Sequence, residues 1–372
     1  MKIALWPTSY LPNIGGLEVM THSLAKQLQK NGHEVIVIAN HLNSAEYKEY
    51  IIDDIKVFLF PFLTALAQNN LLLMKKAING THQLLDEFEA DVVNIHGWFE
   101  CFCFYQARVL ENKGIPVCIT IHGLLEQSHY RTDACLKLWS IAKAVNTVSK
   151  VLIESLNQHG ISHRNLKAIY NGLAVPSESI KPIAHAPPTV LMVGRLSSEK
   201  CFDIAFHAVK NLIQKYPNIK LILVGGGEDY KKLAALKTEL GLDQHIEMTD
   251  FVKPHEVQQY IDQASLVLVP SYYESFCLVA LQAAMRGRPV IASNVYGLKE
   301  VVEHNKTGLL IPPKDPLALS EAIDQLLSKP EQMQAMGEAA KERASDLFSI
   351  ENTTQLYQEM YLSIVEQTCE SL

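Results

Sequence analysis

Three observations predict an α/β protein built from two successive doubly wound domains, each a parallel sheet with helices on both faces. Short apolar runs alternate with amphipathic stretches along nearly the whole chain, the pattern of repeated strand–helix–strand units. This rhythm fades once, in residues 174–188 (AVPSESIKPIAHAPP), whose Pro, Ser and Ala content suits a linker, and then resumes. The 372 residues suit two or three domains, and a hydrophobic share of 48% supplies sizeable cores.

In the first domain the apolar runs at 2–6, 34–39, 55–60, 91–95, 117–121 and 144–148 read as strands, with helical patterns at 17–30, 71–88, 99–112 and 150–158. Pro12-Asn13-Ile14-Gly15-Gly16 follows the first strand and opens the first helix. Adjacent glycines permit positive φ and a close backbone approach, so the loop either presses its amides against a phosphate or sugar or is a plain Gly-rich connection. Its spacing is not the dinucleotide pattern of three spaced glycines. His96-Gly97 and His122-Gly123 each end a predicted strand, on the side of a parallel sheet where ligands bind. Such a histidine can hydrogen-bond a sugar hydroxyl or merely cap the strand; the functional reading is preferred at His122 and left open at His96.

The second series has strands at 189–193, 220–224, 245–248, 266–270, 289–292 and 308–311. Gly194 follows its first strand and lets the chain turn; Arg195 offers a planar fork of donors and Lys200 a mobile point charge, a pair suited to a diphosphate if they are not simply solvated cations. Gly225-Gly226-Gly227-Glu228 forms another loop that allows close approach, and the backbone of Val252 stands where it could read a nucleobase edge. The stretch Ser271 to Ile291 (SYYESFCLVALQAAMRGRPVI) reads as loop, helix and strand. Glu274 lies in the loop, and Leu278 and Gln282 share a helix face if the helix begins near Phe276. The two polar groups could hold opposite ends of an extended ligand; alternatively Glu274 suits the helix dipole and Gln282 is solvated.

Acidic residues outnumber basic ones, 40 to 33, for a net charge of −7, which argues against a basic nucleic-acid binder. The apolar run after Met1-Lys2 is too short for a signal-peptide core, and no stretch approaches a bilayer-spanning length. The seven cysteines show no metal-type pairing and read as reduced thiols of a cytoplasmic protein.

With VGRLSSEK, LVGGGED, FVKPHEV, PSYYESFCLVALQAAMRGRPVIAS and TGLLIPPKD in this order, preceded by IGGLE and TIHG, the sequence resembles the retaining GT-B glycosyltransferases of family 4. The resemblance covers most of the chain, and the motifs are specific as a set. It implies two Rossmann-like domains facing a central cleft: residues 1–172 for the acceptor, 173–349 for the nucleotide sugar, and a terminal helix at 350–372 crossing back onto the first domain. It further implies that Arg195 and Lys200 bind the donor diphosphate, that Glu274 holds the transferred sugar, and that His122 contacts an outer hydroxyl of that sugar. Gly15, Gly16, Gly194, Gly226, Glu228, Val252, Ser275, Phe276, Cys277, Leu278 and Gln282 complete the implied donor site. Family members generally need no bound metal or other cofactor, and the chain lacks a carboxylate pair spaced as metal ligands.

Three departures stand out: Gln282 where the family has a second Glu, Cys277 where Gly is usual, and Tyr296 where a double glycine is common. The expected activity is transfer of a sugar from a nucleotide-diphosphate sugar, UDP-linked before GDP-mannose, to a glycan or lipid-linked acceptor in polysaccharide, lipopolysaccharide or glycolipid assembly. The rival expectations are a non-catalytic nucleotide-sugar-binding subunit and a sugar-nucleotide epimerase or hydrolase on the same fold. Peripheral contact with the inner face of a membrane is a further expectation, through Lys75-Lys76 and an apolar surface around Trp98, Phe99 and Phe102, unless the lysines are solvated and the aromatics lie in the core.

Overall fold

The computed structural model describes residues 1–123, 132–178, 182–183 and 187–370. Parts of the expected linker, 179–181 and 184–186, and the last two residues of the expected terminal helix lie outside the described residues. The chain divides into two compact units, Met1–Ala174 with Ile350–Leu372, and Val175–Ser349.

The first unit runs β1 (Lys2–Pro7), α1 (Gly16–Lys30), β2 (Glu34–Asn40), β3 (Lys48–Ile52), β4 (Ile55–Phe60), α2 (Phe62–Ala67), α3 (Leu71–Phe88), β5 (Val92–His96), α4 (Glu100–Leu110), β6 (Val117–Ile121), α5 (Asp133–Ile141), β7 (Ala142–Thr147), α6 (Lys150–Gln158) and β8 (Leu166–Ala168). Its sheet has the order β3-β4-β2-β1-β5-β6-β7-β8, parallel except for β3. The central strands are buried along nearly their whole length, which is why their sequences read as unbroken apolar runs. β3 and β8 are additions to the sequence reading. β3 is an exposed edge strand joined to β4 by Asp53 and Asp54, both at positive φ (47° and 63°), the conformation of a tight hairpin turn.

The second unit runs β9 (Thr189–Val193), α7 (Phe202–Leu212), β10 (Lys220–Val224), α8 (Tyr230–Glu239), β11 (Ile246–Met248), α9 (Pro254–Gln263), β12 (Leu266–Val269), α10 (Leu278–Met285), β13 (Val290–Ser293), α11 (Leu298–Val301), β14 (Gly308–Ile311), α12 (Pro316–Leu327) and α13 (Pro330–Phe348). All its strands are parallel, in the order β11-β10-β9-β12-β13-β14. The last helix, α14 (Ile350–Cys369), belongs to the first unit: Tyr357, Tyr361 and Ile364 are fully buried, and Gln358 accepts a hydrogen bond from Asn31 on that unit at 2.7 Å.

These strand orders position the sites. In each sheet the chain winds outward one way and then the other, so the direction reverses between β1 and β5 in the first unit and between β9 and β12 in the second. At such a switch point the connections leave on opposite faces and open a crevice at the carboxyl ends of the strands.

Candidate functional site

The second unit gathers its candidate residues on the loops at the carboxyl ends of its strands. After β9, Gly194 takes φ 153°, Arg195 is exposed, and Ser198–Lys200 forms a single 3-10 turn. After β12, Glu274 reaches back across the switch point, and Lys200 Nζ donates to its Oε1 at 2.6 Å. Ser271 Oγ donates to the same oxygen at 3.1 Å. The Lys200 and Glu274 side chains are 26% and 13% exposed, so the pair stands at the surface of the unit with most of its area withdrawn from water. Burial by itself lowers the Lys200 pKa; the Glu274 carboxylate, and after it the neighbouring Cys277, outweigh this and leave the ammonium raised above its ordinary value.

Backbone bonds tie these loops together. The Tyr272 amide donates to Glu199 O at 3.1 Å, joining the loops after β12 and β9, and the Gly297 amide donates to Glu274 O at 3.0 Å, joining the loop after β13. A Cβ on Gly297 would lie 2.1 Å from Ser275 O, so the remaining glycine of the altered double-glycine position is sterically required. Its neighbour Tyr296 sits at φ 35°.

The glycine run after β10 packs closely against its neighbouring loops. Gly225 is at φ 137°, and a Cβ there would stand 2.0 Å from Gly194 O; the Leu196 amide also donates to Gly226 O at 3.0 Å. A Cβ on Gly226 would strike Asp250 Oδ1 and the Phe251 ring. These glycines therefore let the loops after β9, β10 and β11 pack backbone to backbone. Glu228 is exposed on that loop, and Val252 is half-buried in the connection from β11 to α9.

α10 begins at Leu278, later than the start near Phe276 assumed in the sequence, because Phe276 turns its ring into the core. That ring is 1% exposed and packs edge-on against Phe348 at 5.5 Å. Leu278 and Gln282 still share one face of α10, and both are half-buried. Cys277 precedes the helix at φ 78°, ψ 92°, a backbone conformation that carries strain for a residue with a Cβ. Burial first, and the Glu274 charge second, push its thiol up to about 12.

In the first unit Gly15 caps α1 and Gly16 begins it, after β1. Gly15 is extended at φ −159°, and neither glycine takes the positive φ that the sequence allowed. His96 ends β5 and His122 follows β6; His96 Nδ1 lies 3.1 Å from His122 Nε2. Trp98 and Phe102 are 4% and 5% exposed and belong to the hydrophobic core, and half-buried Phe99 packs against it, so these aromatics follow the core reading.

Sequence reasoning did not single out Ser271 or Asp250, and it left His96 open. Ser271 had a positional signal, as the first polar residue beyond a buried strand. Asp250, whose carbonyl accepts from the Gly225 amide at 3.0 Å, had none, because its partner is set by the pairing of β10 with β11.

Among the described residues no helix is long and apolar enough to cross a membrane. The family model described as glycosyl transferases group 1 matches residues 177–343, and that described as glycosyltransferase family 4 matches residues 14–175. An uncharacterised glycosyltransferase of Methanocaldococcus jannaschii is 28% identical over 353 aligned positions, covering 88% of this chain and 89% of that protein. N-acetyl-alpha-D-glucosaminyl L-malate synthase of Bacillus anthracis is 25% identical over 393 aligned positions and covers 98% of both. Among solved structures, HepE of Anabaena in complex with UDP and glucose superposes with a TM-score of 0.81 at 23% identity, over 98% of this chain and 100% of that one. The sucrose-phosphate synthase of Thermosynechococcus elongatus superposes at 0.79 with 21% identity, over 98% and 100% of the two chains. With both halves matched in order and the whole fold shared, the chain belongs to the family 4, group 1 glycosyltransferases and has the GT-B fold.

Proposed function

We propose that this glycosyltransferase moves a hexosyl group, with retention, from a nucleotide-diphosphate sugar to a glycan or lipid-linked acceptor in cell-envelope polysaccharide, lipopolysaccharide or glycolipid assembly. The observation that carries the reading is the Lys200–Glu274 pair, 2.6 Å apart across the switch point of the second unit. A cation beside a carboxylate there suits the junction of a sugar diphosphate, where the sugar joins the phosphate. Lys200, with Arg195, meets the charge that collects on the departing diphosphate, and Glu274 accepts hydrogen bonds from sugar hydroxyls. Gly194, Gly226, Glu228, Val252 and the segment Ser275 to Leu278 line the donor, with Gln282 at the ribose; in the first unit, Gly15 and Gly16 are assigned to phosphate and His122 to a sugar hydroxyl. In the step itself the bond from the anomeric carbon to the diphosphate oxygen breaks and the bond to the acceptor oxygen forms on the same face. The acceptor's proton passes to the departing phosphate.

UDP-sugars are favoured over GDP-mannose, in keeping with the UDP and UDP-glucose held by HepE. The two cations supply the counter-charge, so the reaction is proposed to run without a bound metal or other cofactor; turnover that persists in excess chelator supports this, and turnover restored only by a divalent cation refutes it. The proposed location is cytoplasmic, with peripheral contact to the inner face of a membrane through exposed Leu71, Leu72, Lys75 and Lys76 at the start of α3. Sedimentation with anionic vesicles tests the contact, which fails if all the protein stays in solution.

The test of the activity is a thermal-stabilisation screen of UDP-, GDP- and ADP-sugars, followed by release of free nucleotide from whichever stabilises. Wild type should release nucleotide and Glu274→Ala should not; equal rates defeat the assignment. Strained Cys277 and neutral Gln282 favour one second reading, a subunit that binds the nucleotide sugar without turning it over. Binding with no turnover against any acceptor supports that instead.

A further inference from the structure

The first unit holds a buried polar layer beneath His96 and His122. Asn94 shares a sheet face with His96, because alternate residues of a strand point the same way, and Thr120, two residues before His122, is the register partner of His96. Thr120 Oγ1 lies 3.0 Å from Asn94 Oδ1 and 2.8 Å from Asn146 Oδ1, while the amides of Asn94 and Asn146 donate to the hydroxyls of Tyr361 (2.7 Å) and Tyr357 (3.1 Å) on α14. The His96 ring lies over this layer, its centroid 6.2 Å from that of Tyr357. A set of side chains paired in this way in the core has little freedom to rearrange, so it fixes where the His96 ring stands.

His96 is 0% exposed, which rules out direct contact with a ligand in this arrangement, whereas His122 is only half-buried. The 3.1 Å separation of His96 Nδ1 and His122 Nε2 requires one hydrogen between them. Two placements satisfy it. If His122 supplied that hydrogen, His96 would carry its own on Nε2, a buried N–H with no partner among the described residues. If His96 Nδ1 supplies it, Nε2 is left as a bare acceptor, and orphaned buried donors are the rarer defect of the two. The hydrogen then belongs to His96, and His122 must carry its own on Nδ1. Burial supports an uncharged pair: it lowers the His122 pKa to about 3 and holds the His96 pKa well below its ordinary value, with the neighbouring His122 adding to the latter effect.

We infer that His96 is a positioning residue which fixes His122 in the Nδ1–H tautomer, so that His122 meets a sugar as a neutral hydrogen-bond donor to a hydroxyl oxygen. That His122 meets a sugar rests on the function proposed above; its tautomer does not. A neutral donor suits an uncharged hydroxyl and adds no counter-charge for a phosphate, which leaves charge neutralisation to Arg195 and Lys200.

The experiment is long-range nitrogen–proton NMR on the full chain with labelled histidine, the His122 signals being assigned by their loss in His122→Gln. The expected spectrum shows His122 protonated on Nδ1; protonation on Nε2 overturns the inference. Two variants read the consequence, with release of UDP from UDP-glucose as the assay. His96→Asn places an amide N–H near the former Nδ1 position, and His96→Gln does not. His96→Asn is expected to turn over about 5-fold faster than His96→Gln, the worth of one oriented hydrogen bond; equal rates in two variants of matched thermal stability overturn it. Wild-type turnover in His122→Ala would instead defeat the sugar-contact reading, while the spectrum still decides the tautomer.

Discussion

Removing Lys200 tests the pair at the switch point through both stability and turnover. In Lys200→Met the Glu274 carboxylate keeps the Ser271 hydroxyl at 3.1 Å but loses the ammonium at 2.6 Å. An exposed ion pair contributes about 0–1 kcal/mol, and breaking a fully buried one costs about 3–5 kcal/mol. At 26% and 13% exposure this pair stands between those limits, which sets the expected loss at about 2 kcal/mol. For a unit of this size that is a fall of roughly 4–8 °C in the midpoint of its unfolding transition. Lys200→Met, Glu274→Gln and the double variant should be melted beside the wild type. The double variant leaves no unpaired charge and should recover about 1 kcal/mol relative to the sum of the singles. The sign with pH follows from the raised Lys200 pKa: its stabilisation is complete below the ordinary value of 10.5 and is lost as pH rises through the folded value. Wild type should therefore lose its advantage over Lys200→Met above about pH 10.5. Donor turnover in Lys200→Met should fall by about 10²–10³, as when one preorganised charge-stabilising group is removed. A coupling below about 0.3 kcal/mol would refute the argument that the two side chains act as a unit.

Three further outcomes follow from particular positions. Cys277→Gly relieves a non-glycine residue at φ 78° and should stabilise the second unit by about 1 kcal/mol, read as a higher melting midpoint; a lower one shows that the thiol's contacts outweigh the strain. Gly225→Ala drives a Cβ to within 2.0 Å of Gly194 O and should cost at least ~2 kcal/mol in denaturant unfolding, whereas a neutral effect would mean the loops after β9 and β10 separate freely. Gln282→Glu should tighten UDP by about 1 kcal/mol, roughly five-fold in Kd by calorimetry, if this position grips the ribose, and unchanged affinity would move the ribose elsewhere.

The parallel sheets were legible because strands buried on both faces must be apolar along their length, and such runs stand out between amphipathic helices. β3 was not, because an exposed edge strand buries no continuous face, and its Asp53-Asp54 turn lacks the Asn-Gly type of signal. Within the site, the loops carrying Arg195, Lys200 and Glu274 could be placed from the strand ends that precede them. Their pairing could not: Lys200 and Glu274 lie 74 positions apart, and only the order of β9 and β12 in the sheet makes them neighbours. Cys277 was visible as a departure from its relatives, but its backbone angle depends on Phe276 turning into the core beside Phe348. The His96–His122 contact depends on the β5–β6 pairing, so two similar His-Gly dipeptides gave no sign of their different burial.

Nucleotide release from UDP-glucose, UDP-N-acetylglucosamine and GDP-mannose, with wild type and Glu274→Ala side by side, decides whether the second unit holds a sugar diphosphate with Lys200 at the phosphates and Glu274 at the sugar. UDP and GDP affinity is measured on the same samples. Wild type should release nucleotide from at least one donor, and Glu274→Ala should lose at least ~100-fold in rate with nearly unchanged affinity for the free nucleotide, since Glu274 is assigned to the sugar. Release by Glu274→Ala as fast as by wild type contradicts that assignment.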